Sequence, residues 1–123
     1  MSDFNKKYKE NIDTVRKKLR MGESFDIIEK RLKIGEKEAT FFCVDGFLKD
    51  EMLEKLFEFL SKISAEELKQ INDADSFAEK YITYIEAGTE ESLEKFITLI
   101  LSGAVGMIAD GFTKSIIIDS RRY

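Results

Sequence analysis

An apolar run that stops at Asp-Gly-Phe occurs twice in this chain, as Val44-Asp45-Gly46-Phe47-Leu48-Lys49 and as Ala109-Asp110-Gly111-Phe112-Thr113-Lys114. Each run is short and rich in β-branched or aromatic residues, so each reads as a strand ending where Asp makes local hydrogen bonds and Gly supplies a positive φ. The sequels differ: a helical pattern follows the first copy and a second strand follows the second. Two strands, a helix and a hairpin are thereby placed. Asp45 and Asp110 become the carboxylates to weigh for chemistry.

The remaining elements follow from periodicity. Phe4, Tyr8, Ile12, Val15 and Leu19 fall within an arc of about 80° at 100° per residue, and the Lys and Arg residues between 6 and 20 lie outside it. This is a narrow helical stripe, with a C-cap offered by Gly22, and so narrow a stripe predicts modest burial. Ile28–Ile34 alternates imperfectly, as a strand with one wet face; Gly35-Glu36-Lys37 turns it into Ala39–Val44, apolar on both faces like a central strand. Asp50 opens a helix to about Ile63, and Ser64-Ala65-Glu66-Glu67 is a capping box for a short helix. A further helical turn is expected around Phe77–Lys80.

Tyr81–Ala87 alternates and reads as a strand ended by Gly88, with Thr89 capping a helix to about Leu101. Ala104–Ala109 and Thr113–Asp119 then pair through a type I′ turn at Asp110-Gly111. The expected fold is α/β, with helices packed on a mixed sheet of four or five strands in the order α-β-β-α-α-β-α-β-β. The 123 residues, without a proline or a low-complexity tract, divide into a basic amphipathic helix over 1–22 and a single α/β domain over 23–123. The chain stops at Asp119-Ser120-Arg121-Arg122-Tyr123, directly after a strand, and reads as a segment of a longer protein.

Composition removes several classes of chemistry. There is no His, so the commonest general base, the Ser-His and Cys-His pairs and the usual zinc and haem ligands are all missing. The one cysteine, Cys43, lies inside an apolar run and reads as a small core residue. The longest apolar run, Phe96–Ala109, contains Gly103 and Gly106 and falls short of the roughly 20 residues a membrane helix needs. No signal peptide is visible in the charged first twenty residues. A net charge of −4 conceals an asymmetry: residues 1–35 carry ten Lys/Arg against six Asp/Glu, while residues 36–123 carry ten against eighteen. An acidic body argues against nucleic acid as a partner, whereas the basic end reads first as a solvated helix face and also suits an anionic membrane surface or an acidic partner.

Three constellations remain. Asp45 and Asp110 could form a metal site or an acid–base pair, yet turn chemistry explains both without a site. Gly103-Ala104-Val105-Gly106 fails as a phosphate loop, because a helix precedes it and a strand follows, and its glycines instead allow close helix–strand packing. Asp119, Arg121, Arg122 and Tyr123 form the least explained polar cluster; Arg clamps carboxylates or phosphates bidentately and Tyr adds a stacking face. With Asp45 and Asp110 they make up the candidate ligand or partner contacts, and no cofactor is indicated. The residues alone describe an α/β interaction domain rather than an enzyme.

Several segments taken together resemble the spore germinant-receptor A-subunit family: Gly22-Glu23-Ser24-Phe25-Asp26-Ile27, the Val44-Asp45-Gly46 strand end, Leu101-Ser102-Gly103, Ile108-Ala109-Asp110-Gly111 and Asp119-Ser120-Arg121-Arg122-Tyr123. The likeness runs over about residues 12–123, and its order and spacing carry it. It implies the front part of an endospore inner-membrane protein whose N-terminal domain faces the spore core and acts in germination signalling or ion release. It further implies, as partners, other subunits of a germination complex and the remainder of its own chain, with oligomers in the full-length protein. No catalytic residue is implied. Two other readings stand beside it: a small-ligand sensor whose pocket lies where the ends of strands 39–44 and 104–109 face residues 119–123, and a metal-dependent enzyme built on Asp45 and Asp110.

Overall fold

The computed structural model of the protein describes residues 3–19, 26–44, 50–82 and 86–119. Helix α1 (Tyr8–Leu19) is followed by strands β1 (Ile27–Ile34) and β2 (Lys37–Val44), then helices α2 (Asp50–Ser61), α3 (Ala65–Leu68) and α4 (Ala74–Tyr81). Strand β3 (Glu86–Glu90), helix α5 (Leu93–Leu101) and strands β4 (Val105–Ala109) and β5 (Ser115–Asp119) complete the fold. The strands form one sheet in the order β1-β2-β4-β5-β3. The α/β class and the element order are those expected; where the sequence pointed to a mixed sheet, each of the four pairings is antiparallel. A parallel pair needs a crossover that returns the chain to the same end of the sheet. Here the excursion through α2, α3, α4, β3 and α5 brings β4 in from the end opposite to the start of β2.

The sheet separates two apolar layers, because successive side chains of a strand point to opposite faces. Ala39, Phe41 and Cys43 of β2, with Val105, Met107, Ile116 and Ile118, face α2, α3 and α4. Phe42, Val44 and Ile108 face α1 and α5. Cys43 is thus a buried core residue. The narrow stripe of α1 is buried more deeply than the sequence suggested: Phe4, Tyr8, Ile12, Val15 and Leu19 are all core residues. Phe4 reaches across to Phe96 of α5 in an edge-to-face contact with centroids 5.1 Å apart, which ties the segment ahead of α1 to the second layer.

The β1–β2 turn is a two-residue hairpin with Gly35 at φ +52° and Glu36 at φ +73°, the left-handed pair of a type I′ turn. The capping box at Ser64 is complete, with Ser64 accepting from the Glu67 amide and the Glu67 side chain accepting from the Ser64 amide.

Two expected elements sit elsewhere. Of the strand read over Tyr81–Ala87, Tyr81 belongs to α4, because Ala74, Phe77, Ala78 and Tyr81 form one buried helical face; residues 83–85 lie outside the described residues, and β3 runs Glu86–Glu90. Gly88 therefore lies within β3, and Ser92, not Thr89, caps α5 by accepting from the Lys95 amide. The β4–β5 connection is longer than a type I′ turn: Phe112 N–H donates to Ala109 O at 3.2 Å, with Gly111 at φ +86°. Among the described residues other than glycine positive φ occurs at Glu36, so Asp110 keeps a negative φ and the turn is of type II. The wider loop folds Phe112 into the core against Phe77.

Candidate functional site

The two ends of the sheet hold different candidate residues. Asp110 N–H donates to Glu38 O at 2.9 Å, which places Asp110 beside the start of β2. Val44, where β2 ends, lies six positions further along, roughly 20 Å away at about 3.3 Å per residue. Asp45, next in the chain, lies outside the described residues. Among the described residues no group of three or more His, Cys, Asp or Glu is placed to hold a metal. The same antiparallel geometry separates the ends of β2 and β4, which the sequence reading had placed around one pocket with residues 119–123. Asp119 ends β5 opposite Glu86, at the Val44 end of the sheet; Arg121, Arg122 and Tyr123 lie outside the described residues.

Around Asp110 the chain forms an open cleft of about 350 Å³ between the β1–β2 turn, the β4–β5 turn and the α3–α4 connection. Its polar lining comes from Glu36, Lys37, Lys69, Asn72 and Asp110, beside Gly35. The turn packs so tightly on α3 that a Cβ on Gly35 would lie 2.8 Å from Ser64 O. Lys37 Nζ donates to Asp110 O at 2.5 Å and stands 5.2 Å from the centre of the Phe112 ring, which fixes the β4–β5 turn against β2. The cleft offers amines, carboxylates and an amide, and no hydroxyl or thiol nucleophile. Such a lining suits recognition of a polar ligand or partner.

Three interactions that sequence reasoning missed fix the rest of the surface. Arg16 of α1 makes a bidentate pair with Glu29 of β1, Nε to Oε1 at 2.7 Å and Nη2 to Oε2 at 2.5 Å. The hydrogen bonds from Arg16 hold the Glu29 carboxyl below its ordinary range. Asp75, in the first turn of α4, accepts from Thr89 Oγ1 at 2.6 Å and from Lys114 Nζ at 3.0 Å, and both bonds, the Thr89 one foremost, lower its pKa. Asn11 is buried in α1, where its Oδ1 accepts from Asn5 N–H and its Nδ2 donates to Asn5 O, satisfying backbone groups ahead of the helix. A polar residue flanking the stripe of α1 was the one visible signal for Asn11. The two ion pairs join residues 13 and 39 positions apart and leave no local trace.

Comparison with protein families decides what this scaffold is. The model of the Bacillus/Clostridium GerA spore germination protein family matches residues 13–123. The chain belongs to the GerA family. Among solved structures, the N-terminal domain of the A subunit of the Bacillus megaterium spore germinant receptor GerK3 is similar to it, with a TM-score of 0.76 and 19% identity over 97% of this chain. At that identity the likeness shows the fold. The chain spans about half of that structure, 48%. Comparison with curated proteins finds no match. The GerA match covers β1–β5, α2–α5 and most of α1, so the helix docked by Arg16 and Glu29 is part of the family's domain.

Proposed function

We propose that this chain is a non-catalytic regulatory or assembly domain of a spore germination membrane-protein complex, acting in germination signalling or its amplification through ion release. Membership of the GerA family across residues 13–123 carries the reading. Among the described residues no helix is long and apolar enough to cross a membrane, so membrane attachment is assigned to the remainder of the chain. The domain lies on the cytosolic, spore-core side of the endospore inner membrane, with the basic outer face of α1 near anionic lipid. Within the family, the Ser24-Phe25-Asp26-Ile27 opening and the Arg122-Tyr123 ending point to stage V sporulation protein AF. Its partners are other subunits of the complex and the remainder of its own chain. Asp45, Asp110, Asp119, Arg121, Arg122 and Tyr123 are the residues proposed to contact them. Removing this domain from the full-length protein should release the other subunits from the membrane fraction or leave them unassembled. Unchanged co-sedimentation of the subunits would count against an assembly role.

The cleft at Asp110 favours a second reading, a small-ligand sensor, because its volume of about 350 Å³ falls within the range of ligand sites. Thermal-shift screening against amino acids, sugars and nucleotides tests it, since a saturating ligand raises stability by RT ln(1 + [L]/Kd). No stabilisation at millimolar ligand removes it.

A further inference from the structure

The two edges of the sheet are built differently. β1 carries Glu29, Lys30, Arg31 and Lys33 along its eight residues and is braced by Arg16 of α1, a pattern that discourages another strand from pairing. β3 has the sequence Glu86-Ala87-Gly88-Thr89-Glu90, without Lys, Arg or Pro. Among the described residues β5 is its one strand neighbour, so one row of its main-chain groups faces outward. A Cβ placed on Gly88 would meet nothing within 4 Å.

Alongside this edge runs α4, and between helix and strand lies a groove of about 340 Å³. Ala78, Ile82 and Ala87 supply its small apolar floor, with Glu79 at the rim. Its width is set by Asp75, which binds Thr89 of the strand and Lys114 of the neighbouring loop. On the opposite face of the strand stand Glu86 and Glu90, two positions either side of Gly88. The chain itself lays an extended segment against the residues that follow β3: Phe4 N–H donates to Glu91 O at 3.0 Å, and Asp3 pairs antiparallel with Ser92.

We propose that the groove between β3 and α4 binds an extended segment of a partner protein, which adds to β3 as a sixth strand and alternates small apolar with basic residues. Main-chain bonds to the open edge supply affinity, as in other cases of strand addition. The apolar side chains of the segment lie over Ala78, Ile82 and Ala87, while its Lys or Arg side chains meet Glu86 and Glu90 on the other face. A second copy of the same edge is disfavoured, because it would set these glutamates against one another.

The test uses the 123-residue chain and a fluorescent nine-residue peptide of alternating Lys and Val. Three comparison arms accompany it: the peptide N-methylated at alternate residues, a Glu/Val peptide, and a Glu79→Lys/Glu86→Lys protein. Both substituted residues are exposed, and circular dichroism checks that the variant stays folded. The Lys/Val peptide should shift amide resonances of residues 74–82 and 86–90 and slow hydrogen exchange in β3. N-methylation and the charge reversal should each weaken binding about tenfold or more, and the Glu/Val peptide should not bind. Equal affinity of the N-methylated peptide would overturn strand addition. Perturbations centred away from β3 and α4, no perturbation at millimolar peptide, or concentration-dependent pairing of β3 between copies would each overturn the proposal.

Discussion

Gly106 offers a sharp test of how the sheet and α5 are fitted together. It lies in β4, paired with Phe42 on one side and Ile117 on the other. A Cβ built there would run into the Phe96 ring and the end of Ile100, both fully buried in α5. The Phe96 ring has little freedom to retreat, since Phe4 and Phe42 meet it edge to face at 5.1 and 6.4 Å. Overpacking of this kind costs about 1–3 kcal/mol, against which Gly→Ala returns about 0.4–1 kcal/mol by restricting the unfolded chain. Gly106→Ala should therefore destabilise by roughly 1–2 kcal/mol. With an unfolding entropy of about 2.1 cal/mol/K per residue, that lowers Tm by about 4–8 °C. Gly88→Ala is the control, because its Cβ enters open space, and its Tm should stay level or rise slightly. Thermal unfolding followed by circular dichroism reads both, and Phe96→Leu in the Gly106→Ala background should recover part of the loss. A Gly106→Ala variant as stable as the parent would refute the close fit of β4 to α5.

Further outcomes follow from the buried and paired polar groups. Because Arg16 depresses the Glu29 pKa, the pair's contribution is present above the ordinary glutamate value of about 4.5 and is lost as pH falls through the lower folded-state value. Glu29→Gln should flatten that part of the acid limb in denaturation curves measured from pH 6 to 2. Tyr8→Phe strands the buried Thr40 hydroxyl that meets the Tyr8 hydroxyl, and should cost about 1–2 kcal/mol in urea unfolding. Burial raises the Tyr8 pKa, so in a spectrophotometric titration its phenol should ionise above the usual value of 10.0. Ser64→Ala removes the capping box of α3 and should cost about 1 kcal/mol by the same urea assay.

Local signals in the sequence identified the local structure well. The capping box at Ser64, the Gly35-Glu36 turn and the two-faced apolar run of β2 each depend on residues within a few positions of one another. The stripe from Phe4 to Leu19 correctly gave the buried face of α1. It underestimated the depth of burial, which depends on α5 and β4, nearly a hundred residues away. The doubled Asp-Gly-Phe segment marked two strand ends, but local spacing could not show that those strands run antiparallel and put Val44 and Asp110 at opposite ends of the sheet. The alternation over Tyr81–Ala87 read as a strand, yet Tyr81 also completes the helical set Ala74, Phe77 and Ala78, and packing of that face on Phe112 and the sheet makes Tyr81 part of α4. The Asp110 cleft was half legible. Asp110 itself was visible as a turn carboxylate, while Lys69 and Asn72 arrive there only through the tertiary fold.

The functional account is tested most directly by spores that produce the full-length protein without this domain, with germination followed as the loss of optical density after a germinant is added. The account predicts germination that fails or slows markedly while the truncated protein remains in the membrane. Germination at the parental rate, with the truncated protein present at its normal level, would contradict it.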